Sequence, residues 1–376
     1  MQIVVNTRLL LKDRLEGIGW FSYQTLKRIT TQHPELHFVF LFDRNFDESF
    51  IFSDNVTPII IGPPARHPVL YYLWFQHSVK NLLNKFKPDL FLSPDGFLSL
   101  GANCKQLPVL HDINFLHHPA DSKWLTTKYY NRYFPKFAAE ACRIATVSEF
   151  SKQDIATNYK ISTDKIDVVY NGINSFFKVI DDRTQNQIRE KYTKGKKFFI
   201  CVGSLHPRKN IPNLIKAFAL FTKETQSDLC LVLAGPDFWG LNDIHKTIEE
   251  VGVKESVIFT GRLPNEELAS VLGSALALTF IPYYEGFGIP LVEAMAAGIP
   301  IICSNVTSLP EVAGEAALLV DPLNIHEIKN AMVDVYSSAA LRKSLVLKGE
   351  LQQQKFSWDK TADLLWQSMT KTMGDY

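Results

Sequence analysis

The densest run of chemistry-bearing residues is Ile281–Ser304, IPYYEGFGIPLVEAMAAGIPIICS. A strand-like run ends at Pro282, the loop Glu285-Gly286-Phe287-Gly288 follows, and Pro290 suits the first turn of a helix beginning near Ile289. Glycines let backbone amides come close to an anion, and a helix N-terminus adds partial positive charge, so a diphosphate is the natural ligand. Glu293 falls about one turn into that helix. Ionised carboxylates accept two hydrogen bonds at once, so one at the loop and one on the helix suit two sugars flanking a diphosphate.

A second candidate is CVGSLHPRKNIPNLIKAF, Cys201–Phe218. A strand running from Phe198 to Gly203 leads into a loop carrying Arg208 and Lys209, before an amphipathic helix starting near Ile211. Adjacent fixed cations at a helix entrance would neutralise a diphosphate leaving group. A third is PVLHDINFLHHP, where His111 is expected to end a strand. That histidine reads equally as a structural residue, a hydrogen-bond donor to a sugar hydroxyl or a proton carrier. Asp112 is as easily a cap for the following turn, and His117 and His118 are weaker candidates. No carboxylate-histidine spacing supports a metal site, so none is expected. The fourth is Gly17-Ile18-Gly19, read as a loop between the first strand and first helix that lets the backbone pass near a ligand.

Alternating elements must position these residues. Strand-like runs such as Ile3–Asn6, His37–Phe42, Pro58–Ile61, Asp89–Ser93 and Pro108–His111 are continuous apolar stretches, which implies sheets covered on both faces. Helical patterns separate them. The alternation pauses over the polar stretch 171–197 and then resumes. This predicts an α/β chain with an N-terminal domain over 1–175, a second doubly wound parallel-sheet domain over 176–355, and a C-terminal helix in 356–376 returning to the first. Ligands of such sheets bind beyond the carboxyl ends of strands, so the functional residues should converge on a cleft between the domains.

Composition narrows the class. Forty basic against thirty-nine acidic residues give a net charge of +1, which argues against a nucleic-acid partner. No apolar stretch is long enough for a signal-peptide core or a membrane span, and the five cysteines form no Cys-x-x-Cys pair. Buried free thiols in a cytoplasmic protein are expected. The stretch 67–88, HPVLYYLWFQHSVKNLLNKFKP, is aromatic and then basic. It reads first as a buried helix, and second as a peripheral contact of the N-terminal domain with the inner face of the cell membrane.

Taken together, EGFGIPLVEAMAAGIPII with Glu285 and Glu293 at Glu-x7-Glu spacing resembles glycosyltransferase family 4, the retaining GT-B enzymes, and the PRKN-x-EGFG combination resembles bacterial mannosyltransferases. TVSEFSKQDI, VVYNGIN, FTGRL, SLPEVAGEAALLVDP and FSW extend the resemblance from about Pro108 to the C-terminus. The resemblance implies a GT-B fold of two Rossmann-like domains and transfer of a hexose from a nucleoside diphosphate sugar to a glycan or lipid-linked acceptor. It implies that Glu293 holds the ribose and Glu285 the transferred sugar, with the amides of Gly286, Phe287, Gly288 and Ile289 at the distal phosphate. Arg208 and Lys209, beside Gly203, would bind the donor phosphates, and His111 would contact the sugar. Gly17 and Gly19 would meet donor phosphate and acceptor. GDP-mannose is the favoured donor, with UDP-sugars next; neither a cofactor nor a metal is implied. Where other members carry arginine directly after the glycine, this chain has Ser204. The rival readings are a non-catalytic two-domain sugar-binding protein and a GT-B nucleotide-sugar epimerase.

Overall fold

The computed structural model describes residues 1–12, 14–237 and 240–374. The chain forms two compact units: residues 1–172 together with the chain from Ser357 onward, and Ile173–Phe356.

Unit 1 is built on β1 (Gln2–Asn6), β2 (His37–Phe42), β3 (Val56–Ile60), β4 (Leu90–Ser93) and β5 (Gln106–Pro108). Its five-stranded sheet has the order β3-β2-β1-β4-β5 with every pair parallel. A separate parallel pair, β6 (Ile144–Thr146) and β7 (Ile166–Val168), joins it through one bridge, Val109 to Ala145. Unit 2 carries β8 (Phe198–Val202), β9 (Cys230–Ala234), β10 (Val257–Gly261), β11 (Ala277–Phe280), β12 (Ile301–Ser304) and β13 (Ala317–Val320). These form a six-stranded parallel sheet in the order β10-β9-β8-β11-β12-β13.

The continuous apolar runs have the cause expected of them. All five residues of β8 and all five of β9 are buried, because helices cover both faces. Helix Ile211–Thr225 supplies one cover, burying Ile211, Leu214, Ile215, Phe218 and Phe221 at helical spacing. Each such side chain contributes about 1.5–3 kcal/mol by leaving water.

In both sheets the first strand lies inside and successive strands are added outward in two directions. Loops after β1 and β4, and after β8 and β11, therefore lead to opposite faces and leave a crevice at the carboxyl edge of each sheet.

Helix Trp358–Met373 belongs to unit 1. It is seated by Thr361 Oγ1 donating to the Tyr170 carbonyl (2.7 Å), Ser368 Oγ to Asp167 (2.7 Å) and stacking of His33 on Trp366 (3.8 Å). Gly172 permits this approach, since a Cβ there would lie 2.3 Å from the Trp358 nitrogen. Three expectations shift. The polar stretch holds a helix, Asp182–Thr193, started by Asp181 accepting from the Thr184 amide. Cys142 is exposed and Cys104 half-buried, so only Cys201, Cys230 and Cys303 are buried thiols. The stretch 67–88 is divided: Trp74, Phe75, Val79 and Leu83 enter the core, whereas Val69, Tyr72 and Leu73 stay exposed. Among the described residues no helix is long and apolar enough to cross a membrane.

Candidate functional site

In unit 2 the loops after β8 and β11, the two strands at the sheet's switch point, bring together residues 76 and 77 positions apart. Both Arg208 and Lys209 bond the same carboxylate oxygen of Glu285. The backbone fixes this meeting: the Tyr283 amide donates to the Arg208 carbonyl (2.9 Å), and Arg208 Nη1 donates to the Tyr284 carbonyl (2.9 Å). Ser308 Oγ then holds the Glu285 carbonyl (2.9 Å). Lys209 also lies over the Phe280 ring, 4.4 Å from its centre. Gly203 directly follows β8, its amide bonded to the Ala234 carbonyl, and the Lys209 side chain passes beside it.

The electrostatics follow from burial. Desolvation alone would raise the Glu285 carboxyl, but the charges and hydrogen bonds of Arg208 and Lys209 overcome it and hold the group below its usual range. Burial pulls the Lys209 ammonium down from its ordinary value, opposed by Glu285. The sequence reading left both cations facing a phosphate; here they form a compact group with the carboxylate.

Helix Ile289–Ala296 begins directly after this loop, with Pro290 in its first turn as expected. Its N-cap is Gly288 at φ 95°, a left-handed backbone whose Cβ would strike Leu309 at 2.6 Å, so only glycine fits. No side chain caps this end, and the Leu291 amide turns back to the Gly288 carbonyl (2.9 Å). Phe287 is buried edge-on against Phe356, which anchors the loop next to Gly286. Glu293 sits one turn further on, half-buried. Its carboxyl makes no hydrogen bond or ion pair among the described residues, and burial raises its pKa to about 8.

In unit 1, His111 does not end a strand. β5 stops at Pro108 because the chain changes partners there: the Val109 amide bonds Ser93, and the next amide, Leu110, bonds Ala145. His111 Nε2 lies 2.9 Å from the Pro94 carbonyl, and Phe21 packs edge-on against the ring at 5.1 Å. Burial lowers its pKa to about 4. A carbonyl only accepts, so Nε2 carries the proton and Nδ1 presents a lone pair. At neutral pH this imidazole is uncharged, with its one N–H directed at Pro94 and its Nδ1 left as an acceptor. Its backbone carbonyl accepts from Ser151 Oγ (3.2 Å).

The other histidine-loop residues have local partners. Asp112 accepts from the Asn114 amide (3.0 Å), the turn-capping alternative, and His117 Nε2 lies 2.9 Å from Asp154. Gly17 and Gly19 do not precede the first helix but form the first turn of Gly17–Gln32, where Gly19 is buried against Leu9 and Leu15. Among the described residues no group of three or more His, Cys, Asp or Glu side chains is placed to hold a metal.

One cluster escaped sequence reasoning. Beyond β1 and β4, the switch point of unit 1, Arg8 Nε donates to Asp95 (2.6 Å) with both side chains buried, and Asn6 Nδ2 also donates to Asp95 (2.7 Å). Arg8 lies 4.7 Å from the Phe97 ring centre and 5.1 Å from that of Tyr71. The available signal was a polar residue two positions past the end of each central strand.

Two parallel doubly wound units of this topology, with cations after β8 and a carboxylate loop after β11, define the GT-B class of glycosyltransferases. The profile for glycosyl transferases group 1 matches residues 182–352, and that for glycosyltransferase family 4 matches residues 17–175. O-antigen chain mannosyltransferase RfbU of Salmonella typhimurium is 30% identical over 287 residues, covering 74% of this chain and 75% of that protein. O-antigen chain mannosyltransferase B of Escherichia coli is 27% identical over 375 residues, covering 96% of this chain and 97% of its own length. Among solved structures, Anabaena HepE in complex with UDP-glucose matches with a TM-score of 0.77 at 16% identity, covering 99% of this chain and 100% of that one. The chain belongs to glycosyltransferase family 4.

Proposed function

We propose that this glycosyltransferase moves mannose from GDP-mannose to a glycan or lipid-linked acceptor in polysaccharide synthesis on the cytoplasmic side, with retention of configuration and without a metal. The observation that carries the reading is the group formed by Arg208, Lys209 and Glu285 beside an uncapped helix start, with the partnerless Glu293 one turn away. The names of the O-antigen mannosyltransferase relatives support mannose over other hexoses.

In this reading the diphosphate shares Arg208 and Lys209 with Glu285 and accepts from the amides of Gly286 to Ile289. Glu285 accepts from hydroxyls of the donor sugar. Glu293 takes the ribose diol, which a carboxyl with no protein partner can bind as donor or acceptor. The bond between C1 and the distal phosphate oxygen breaks as positive charge develops on the sugar ring. The acceptor oxygen bonds C1 on the same face, and its proton passes to the departing phosphate. Glu285 is too fully engaged by two cations to act as a nucleophile, so no covalent glycosyl-enzyme is invoked. Neutral His111 is assigned a hydrogen bond accepted at Nδ1 from a sugar hydroxyl, and Gly17 and Gly19 supply first-turn amides of their helix to an anion.

Incubating purified protein with a panel of nucleotide sugars tests this: GDP-mannose should be turned over fastest. Preference for UDP-glucose would refute the donor assignment. Binding without release of nucleoside diphosphate would favour the sugar-binding alternative, and interconversion of free donors the epimerase.

A further inference from the structure

We propose that Asn210 is a positioning residue for transfer: its side-chain amide, held on the Pro322 carbonyl, fixes the turn that presents Arg208 and Lys209. The inference rests on the reading that those two cations bind the donor diphosphate. Asn210 is 1% exposed and stands between Lys209 and helix Ile211–Thr225. Its backbone is left-handed, with φ 59°, a conformation that asparagine tolerates better than most side chains. An asparagine before a helix usually accepts from an amide of the first turn. Here no such cap forms. Nδ2 instead donates to the Pro322 carbonyl at 2.7 Å, 112 residues further along the chain, and Oδ1 is buried without a donor among the described residues. A side chain that forgoes the local cap and leaves a buried acceptor unsatisfied is not serving helix stability, so the long-range tie is what it provides.

Both ends of that tie are braced. On the cation side, the Arg208 amide donates to His206 Nδ1 (3.2 Å), the Lys209 amide to the His206 carbonyl (2.9 Å) and the Asn210 amide to the Pro207 carbonyl (3.0 Å). These bonds make 206–210 one tight turn that moves as a unit. On the far side, Pro322 lies in a closed turn between β13 and helix Ile325–Ser337. There the Asp321 carboxylate accepts from the Leu323 amide (2.8 Å) and its carbonyl from the Asn324 amide (3.0 Å). Asn213, one turn into the helix after Asn210, reaches the same Pro322 carbonyl (3.3 Å) and the Tyr283 hydroxyl (3.3 Å). Pro322 is therefore a fixed anchor, and the cation turn cannot swing at the helix entrance without breaking its bond from Asn210. Accuracy matters here because fixed charges assist a departing diphosphate only when they are already in place as its charge develops.

The test compares N210G, N210D and Q226G with the parent, using GDP-mannose or whichever donor the nucleotide-sugar panel shows to be used fastest, well below the melting transition of each protein. Glycine adopts φ 59° freely, so N210G keeps the turn's backbone and loses only the tie. It should lower kcat by about tenfold or more, while the donor KM changes by less than about threefold, since both cations and the loop amides still hold the ground-state diphosphate. N210D keeps the shape but replaces the donor with an acceptor, which the Pro322 carbonyl cannot bond, and should lose at least as much. Gln226 is the exposed left-handed residue at the other end of the same helix, at φ 51°, so Q226G controls for a glycine placed at such a position and should match the parent. Parent-like kcat in N210G or N210D would overturn the proposal. So would a loss in both that their melting curves account for as unfolded protein, or an equal loss in Q226G. A parent that neither turns over any nucleotide sugar nor is stabilised by pyrophosphate would refute the diphosphate reading, and this inference with it.

Discussion

Replacing Glu285 by glutamine removes one charge from a site where two cations depend on it. The Glu285 side chain is 10% exposed, Lys209 8% and Arg208 19%, so little water is available to replace the lost carboxylate. Breaking a buried ion pair from one side costs about 3–5 kcal/mol. Two features reduce this: the glutamine carbonyl still accepts one hydrogen bond, and Arg208 retains the Tyr284 carbonyl. Lys209 can also shed its proton more readily, being already pulled down by burial. A loss of about 3 kcal/mol remains, or roughly 6–12 °C in the Tm of a unit of this size. The variant should also gain more from an added diphosphate than the parent does, because both cations are released from their internal partner. Thermal denaturation with and without pyrophosphate, which carries the diphosphate without base or sugar, reads both effects. A variant that melts with the parent, or that pyrophosphate stabilises less than the parent, would refute the argument that Glu285 holds these cations for an anionic ligand.

Glu293→Gln should stabilise the protein increasingly as pH rises. The raised carboxyl pKa means the folded state holds its proton more tightly; this stability is full below the usual 4.5 and is lost as pH climbs to about 8. At about 1.4 kcal/mol per unit the shift sets a ceiling near ~5 kcal/mol, reduced to about 2 kcal/mol for a group still partly in water. Melting curves of parent and variant from pH 5 to about 8 should diverge, and parallel curves would contradict it. For His111, nitrogen-15 NMR should show a protonated Nε2, a bare Nδ1 and no titration above pH 5 or so. A midpoint near the ordinary imidazole value would reject the tautomer assignment. Treatment with EDTA should leave turnover unchanged; loss restored by a divalent cation would reject metal-independent transfer.

How much was legible depended on whether the determinant was local. Parallel strands such as β8 and β9 were readable because both faces are covered and the sequence there is continuously apolar. The start of helix Ile289–Ala296 was readable because Pro290 and Gly288 each carry a backbone constraint. Long-range determinants were not. Nothing local to Arg208 or Lys209 reveals a carboxylate 76 residues away, and nothing in PVLH shows that the strand must stop where its pairing passes to Ala145. The stretch 67–88 misled because apolar content does not indicate which side of a helix finds a partner: Trp74 does, and Leu73 beside it does not.

The most direct measurement of the central claim is the anomeric configuration of the product formed from GDP-mannose and a mannosyl acceptor, read by NMR together with release of GDP. The account predicts GDP release matched by an α-mannoside, the configuration of the donor. A β-mannoside, or no transfer from any nucleotide sugar, would contradict it.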